Sequence, residues 1–185
     1  MRTVVESMLP ATFLVRYAIY MQSCAHIELA SWHIVQLAQG YELYTPARIE
    51  HFLKVKMSTS KLVEALRRSN SYGPVGIQLR IRLAAIRVKQ GMTNRNLAAH
   101  GAWFHNDGKG ALSVEHYFQQ RVGDAKQWMH VDENISHRQI DEAVEEADLL
   151  LRELIDIREE LKRYQKSTRS RLEFASAVTA PRTSK

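Results

Sequence analysis

Residues 11–40 read ATFLVRYAIYMQSCAHIELASWHIVQLAQG, with no glycine or proline before Gly40. Apolar side chains recur at three- and four-residue spacing along this stretch, at Phe13, Leu14, Tyr17, Ala18, Met21, Ala25, Leu29 and Trp32. Such spacing is typical of a helix with one apolar face, and glycine commonly follows the last residue of a helix. The stretch therefore predicts one long amphipathic helix over residues 11–39.

Three further helices are predicted downstream of this stretch. Pro46 suits the first turn of a short helix running towards Lys54, because proline needs no hydrogen-bond partner there. The cluster Ser58-Thr59-Ser60 offers an N-cap for the next helix. Residues 75–89 alternate in part like a strand, but their length and the paired alanines favour a helix that ends at Gly91.

The region after Gly91 changes character twice. Thr93 or Asn94 is predicted to cap a short helix that runs to His100 and ends at Gly101. Residues 102–118 then flank a turn-forming run, Asn106-Asp107-Gly108-Lys109-Gly110, and predict a small β-hairpin. Ser136 begins a long last helix with an apolar stripe made of Ile140, Val144, Ala147, Leu151, Leu154 and Leu161.

Together these elements predict an all-α fold, a bundle of about five helices with a small β-hairpin insertion before the last long helix. Residues 1–165 are expected to form a single helical domain that contains the insertion at about residues 102–118. Residues 166–185 are basic and end in Pro-Arg-Thr-Ser-Lys, so a flexible C-terminal tail is expected there.

Composition excludes several classes of protein. The 185 residues are 45% hydrophobic and 25% charged, which suits one globular core and argues against a disordered chain. Cys24 is the only cysteine, so no intrachain disulfide framework or multi-cysteine zinc site is expected. No apolar run reaches the roughly 18 residues that a membrane span needs, and the default expectation is a cytoplasmic protein without a membrane partner.

The net charge of +6 hides a strongly segregated charge distribution. Residues 46–95 contain eleven Lys or Arg and two Glu, whereas residues 132–160 contain eleven Asp or Glu and three Arg. A basic middle of this kind favours a polyanionic partner such as RNA. The alternative is that basic and acidic helices pair with each other or face water, since charge runs usually are solvated surfaces.

The stretch Asn94-Arg95-Asn96-Leu97-Ala98-Ala99-His100-Gly101 holds the most informative motif. In a chain of this composition, chance predicts about 0.02 occurrences of Arg-Asn-x-x-x-His. Histidine suits proton transfer near neutral pH, arginine is a permanently charged forked donor for phosphate oxygens, and the Asn96 amide can orient the imidazole or bind phosphate. The alternative is a capped helix with a buried His100 and a surface Arg95 that pairs with an acidic residue.

This motif resembles the Arg-Asn-x-x-x-His signature of the HEPN superfamily (higher eukaryotes and prokaryotes nucleotide-binding), and the long first and last helices are similar to that family's bundle. The resemblance implies a metal-independent endoribonuclease, a homodimer whose two motifs face each other, in a toxin–antitoxin or antiviral defence setting with an antitoxin protein as partner. Arg95, Asn96 and His100 would then be the catalytic residues, and RNA ends would be 2′,3′-cyclic phosphates and 5′-hydroxyls.

Helix geometry sets a condition on this assignment. Arg95 and His100 are five residues apart, about 140° around an ideal helix, so we expect Arg95 in a first turn from which its side chain can swing towards His100. Arg82, Arg87 and Lys89 precede the motif and are candidates for phosphate contacts, with solvated helix surface as the alternative.

The remaining histidines show no ligand spacing, and no metal site or cofactor is predicted. The rival interpretation of the whole chain is a non-catalytic helical module that binds nucleic acid or a protein partner through the basic middle.

Overall fold

The structure is a computed structural model that describes residues 3–41, 45–46, 50, 59–69, 73–106 and 111–179. Five α-helices and three β-strands lie within these residues. The helices are α1 (Val4–Met8), α2 (Ala11–Ala38), α3 (Thr59–Arg68), α4 (Val75–His100) and α5 (His137–Thr179). The strands are β1 (Ala102–Asn106), β2 (Ala111–Val122) and β3 (Ala125–Ser136), between α4 and α5.

The expected all-α fold is wrong, because the three strands form an antiparallel sheet of order β1-β2-β3. The predicted hairpin at residues 102–118 is only part of this sheet. Strand β2 continues to Val122, and a tight turn with Gly123 at φ 62° leads into β3, whose Ala125 pairs with Val122. Glycine suits that turn because it adopts positive φ without steric cost.

Helix α2 confirms the prediction for residues 11–39. It ends beside Gly40, whose φ is 79° and whose amide donates to the Leu37 carbonyl at 2.9 Å. Ala18 of the predicted apolar stripe is exposed, and the stripe is also wrong in the second half of the helix, where Ala25 and Leu29 are exposed. The residues that are buried there include Ile27, Ala30, Ile34 and Leu37.

Helix α4 differs from prediction at Gly91. The helix passes through this glycine and reaches His100, so the expected break and the short capped helix over residues 93–100 are wrong. A Cβ atom placed at Gly91 would meet nothing within 4 Å, so this position is open and imposes no turn. A helical glycine costs about 1 kcal/mol relative to alanine, a cost offset by burial of Ala84, Ala85, Val88 and Ala98 on the same helix.

Helix α5 begins where the sequence indicates. The Ser136 hydroxyl accepts from the Gln139 amide at 3.2 Å, and the Gln139 side chain accepts from the Ser136 amide at 2.9 Å, which is a capping box. The predicted stripe is buried at Val144, Ala147, Leu154 and Leu161. The helix runs to Thr179, so residues 166–179 of the segment expected to be a flexible tail are helical.

Other predictions meet the structure only in part. Helix α3 begins at Thr59, within the cluster predicted to cap it. The short helix predicted from Pro46 towards Lys54 lies outside the described residues apart from Pro46 and Glu50, which are helical. Residues 180–185 of the expected tail also lie outside them. None of the helices, within the part of the chain that the structure describes, is long and apolar enough to cross a bilayer.

The chain divides into two compact units. The first, which we call the motif unit, comprises Met1–Ile27 and Val88–Leu151, and the second, the packed unit, comprises Glu28–Arg87 and Arg152–Lys185. The motif unit contains the sheet, and its buried side chains include Phe13, Ala98, Leu112, Val114, Val144 and Leu150. The buried side chains of the packed unit include Ile34, Leu37, Leu62, Leu66, Ile81, Leu154, Ile157 and Leu161.

Candidate functional site

Arg95, Asn96 and His100 lie in the last turns of α4, in the motif unit. The sequence argument needed Arg95 in the first turn of a helix, and that condition is not met because α4 is continuous from Val75. On a continuous helix Arg95 and His100 remain about 140° apart, whereas Asn96 and His100 share one face. Within one chain, the backbone therefore directs the guanidinium and the imidazole to different sides of the helix.

Arg95 is half-buried, and its guanidinium Nη1 donates to the Asn96 side-chain oxygen at 3.2 Å. Its charge also reaches Tyr20 on α2. Burial raises the pKa of the Tyr20 phenol, neighbouring Cys24 and Glu146 raise it further, and the positive charge of Arg95 opposes them. Arg95 and Asn96 are thus brought together as a cation and an amide next to each other, beside the phenol of α2.

His100 is exposed, which contradicts the alternative of a histidine buried in apolar packing. Its ring lies against His116 of β2, with ring centroids 6.0 Å apart and planes inclined by 20°. His116 in turn stacks on Phe118 at 5.1 Å and 14°. The imidazole at the C-terminal end of α4 therefore lies beside a second imidazole on β2, which is backed by an aromatic ring.

Gly101 permits this close approach of helix and sheet. Its amide donates to the Leu97 carbonyl at 2.8 Å, and β1 begins at the next residue. A Cβ atom at this position would come within 2.5 Å of both the Leu97 carbonyl oxygen and Val114 Cγ2. No other residue fits between the helix end and β2 without a shift, so Gly101 helps to place His100 beside His116.

His116 is the residue that sequence reasoning missed, since it was grouped with histidines that lack ligand spacing. The available signal was the alternation of β2, in which Leu112, Val114, His116 and Phe118 point to one face of the sheet. Leu112 and Val114 are fully buried on that face, and His116 and Phe118 are half-buried. A histidine that continues a buried strand face lies against whatever packs there, which is the end of α4.

The predicted RNA-contact residues are all exposed on α4. Lys89, Asn96 and His100, all in the motif unit, fall within about 40° of one another around the helix. Arg82 and Arg87 belong to the packed unit. Within the motif unit, Lys89 is therefore the predicted contact residue that shares a face with His100.

A metal centre has no donor set in the part of the chain that the structure describes. No group of three or more His, Cys, Asp or Glu side chains there is arranged to hold a metal ion. Cys24 is buried and forms no disulfide. The chemistry available at the end of α4 is thus that of imidazoles, a guanidinium and an amide.

Comparisons of the chain with protein-family models, with characterised proteins and with solved structures give no significant match.

Proposed function

We propose that this protein is a metal-independent endoribonuclease of the HEPN type, with Arg95, Asn96 and His100 at its catalytic site. The observation that carries the proposal is the exposed His100 of the Arg-Asn-x-x-x-His motif, whose ring lies 6.0 Å from that of His116. Cleavage of RNA without a metal needs one group that accepts a proton and another that donates one, and two imidazoles supply both.

The reaction uses the 2′-hydroxyl of the substrate as its nucleophile. One imidazole of the His100–His116 pair accepts the proton of this hydroxyl while the hydroxyl oxygen attacks the neighbouring phosphorus. The bond from phosphorus to the 5′-oxygen breaks, and the second imidazole, protonated beforehand, donates its proton to that leaving oxygen. The products are a 2′,3′-cyclic phosphate and a 5′-hydroxyl, and the exchanged protonation states are restored through water.

Arg95 stabilises negative charge on the phosphoryl oxygens during the attack, because its guanidinium is permanently charged and forked. Asn96 holds one arm of that guanidinium through the 3.2 Å hydrogen bond and lies on the helix face of His100. We assign Asn96 the role of orienting these two groups.

The active enzyme is a homodimer in this proposal. Arg95 and His100 of one chain lie about 140° apart around α4, so they do not reach one phosphate from the same helix. Two copies of α4 that meet near Asn96 bring Arg95 of one copy towards His100 of the other. The face of α4 that carries the half-buried Asn96 and the exposed His100 is the surface available for this meeting.

We assign Arg82, Arg87 and Lys89 as phosphate contacts of the RNA. All three side chains are exposed, and such contacts release counterions, so binding should weaken steeply as salt rises. A cytoplasmic protein in a toxin–antitoxin or antiviral defence system, held inactive by an antitoxin protein, fits an RNA-cleaving activity. Expression of the wild-type chain should then arrest growth, and expression of the His100→Ala variant should not.

The test is cleavage of RNA in EDTA by the wild-type chain and by the His100→Ala and Arg95→Ala variants. We expect cleavage by the wild type, and a loss of about 10²–10⁴-fold in the His100→Ala variant. Mass spectrometry of the fragments should show cyclic phosphate ends. His137→Ala and Arg67→Ala are matched controls, because both residues are exposed and are not part of the Arg-Asn-x-x-x-His motif.

Full activity in both motif variants would exclude this site. Absence of cleavage of any RNA by a folded wild-type dimer would instead favour the second candidate, a non-catalytic module that binds nucleic acid or a protein partner. The exposed Arg82, Arg87 and Lys89 support that candidate equally. Retained RNA binding that falls with their substitution would identify nucleic acid as the partner.

A further inference from the structure

A cavity of about 320 Å³ lies within the motif unit, separate in character from the histidine pair. One wall is aromatic. The Phe13 and Trp103 rings lie 5.1 Å apart, and Tyr17 lies 5.8 Å from Phe13 and 6.5 Å from Trp103. The volume is at the lower end of the range for small-molecule sites.

The polar wall of this cavity carries negative charge. Glu133, Glu142 and Glu146 contribute to its lining, and no Lys, Arg or His is among the described residues that line it. Arg138 donates to Glu142 at 2.7 Å, so that carboxylate has a cation of its own. The potential of Glu146 contributes to the raised pKa of Tyr20, which also lines the cavity.

The sheet register relates the two walls to each other. Trp103 pairs with Val114, and Val114 pairs with Glu133, so Trp103 and Glu133 lie on the same face two strands apart. Neighbouring strands are about 4.8 Å apart, which separates these two residues by about 10 Å. A short alkyl chain that ends in a charged group fits between an indole face and a carboxylate at that separation.

We propose that this cavity binds an organic cation, an alkylammonium or alkylguanidinium group. The carboxylates of Glu133 and Glu146 face its charge, and the aromatic wall receives its stem and contributes cation–π attraction. Carboxylates repel phosphate, so an anionic ligand is disfavoured here. The cation comes either from a free polyamine or from a lysine or arginine side chain of a bound peptide. This inference does not depend on the ribonuclease proposal.

Calorimetric titration of the full-length chain tests the proposal with agmatine, spermidine and a blocked arginine amide as probes. We expect saturable binding of at least one probe, weakened at least tenfold in the Glu133→Gln/Glu146→Gln double variant. Glu145→Gln is the matched control, because Glu145 is the exposed neighbour of Glu146 and does not line the cavity. This control should bind as the wild type does.

The probes also identify the source of the cation. Preference for agmatine or spermidine supports a free amine, and preference for the blocked arginine supports a peptide side chain. Trp103→Leu should weaken binding while both carboxylates stay in place, which separates cation–π attraction from simple charge attraction. The proposal is overturned if no probe saturates, if the double variant binds like Glu145→Gln, or if guanosine monophosphate binds better than every cation.

Discussion

Two arginines on α4, one in each unit, have different hydrogen-bond partners. Arg80, in the packed unit, donates to Glu153 at 2.6 Å and also to Glu160. Arg95, in the motif unit, donates to the neutral amide of its neighbour Asn96. Hydrogen bonds to these carboxylates, that to Glu153 first, raise the pKa of Arg80 above its ordinary value. The charge of Arg80 is compensated by two carboxylates, whereas the Arg95–Asn96 hydrogen bond is made to a neutral group.

A basic amino-acid composition does not by itself create a surface that binds nucleic acid. Residues 46–95 are rich in Lys and Arg, yet Arg80 is neutralised by two residues from the acidic stretch 132–160. The alternative in which basic and acidic helices pair is correct for this residue. Arg82, Arg87 and Lys89 are exposed, so only a part of the basic middle is available to RNA.

The two arginines should differ most in RNA cleavage after each is removed. Arg95→Ala should lower kcat/KM on RNA by about a thousandfold, because it removes a charge that stabilises the transition state. Arg80→Ala should leave the activity of the folded enzyme within about threefold of wild type, since its charge is already neutralised. Equal losses in the two variants would show that the difference in partners has no functional meaning.

A buried and an exposed leucine of the packed unit give a second measurement. Leu161 is fully buried in the packed unit, whereas Leu83 is 52% exposed. Leu161→Ala should lower the free energy of unfolding by about 3 kcal/mol, through lost burial and the cavity it leaves. Leu83→Ala should change it by less than about 0.5 kcal/mol. Urea unfolding measures both, and a similar loss at Leu83 would mean that this exposed position is covered in solution.

The Arg80 ion pairs should contribute less than this core. Arg80→Gln should cost about 2 kcal/mol of unfolding free energy, because two partly buried carboxylates lose a charged donor. Arg82→Gln is the control, as Arg82 is exposed on the same helix. The difference between the two variants should shrink at high salt, since partly exposed ion pairs are screened. A salt-independent difference would point to packing of the arginine stem instead.

The contrast between packed and exposed regions also explains which parts of the fold the sequence predicts. Uninterrupted helical spacing correctly predicts α2 and the buried stripe of α5, because a core selects apolar residues at helical intervals. The outer half of the β2–β3 hairpin has no such signal. Residues 119–129 are all exposed, so polar side chains are accepted on both faces of the strands there. Strand pairing and the Gly123 turn form that part of the sheet.

The candidate site likewise has parts that the sequence predicts and parts that it does not. The Arg-Asn-x-x-x-His motif is visible because its residue types are rare at that spacing, and His100 is exposed as a functional residue requires. Gly91 misled the prediction of a helix break, because packing of Ala84, Ala85 and Val88 outweighs the local cost of a helical glycine. The neighbour of His100 is His116, sixteen positions along the chain, and that contact depends on strand register.

The smallest expected effect is the contribution of one buried histidine to the pH dependence of stability. His33 is buried in the packed unit, and burial lowers its pKa below the ordinary 6.5, with the charges of Arg158 and Lys162 adding to the shift. Below pH 6.5 the unfolded chain therefore binds a proton that the folded chain does not, so stability falls as pH falls through that window. His33→Gln should flatten this dependence, measured by urea unfolding between pH 7.5 and 5.5.

His137→Gln is the control for that measurement, because His137 is exposed at the start of α5. We expect the buried His33 to affect stability and the exposed His100 to affect cleavage. A wild-type chain that becomes more stable as pH falls from 6.5 would reverse the sign of the argument, since it would require the folded state to bind more protons than the unfolded state.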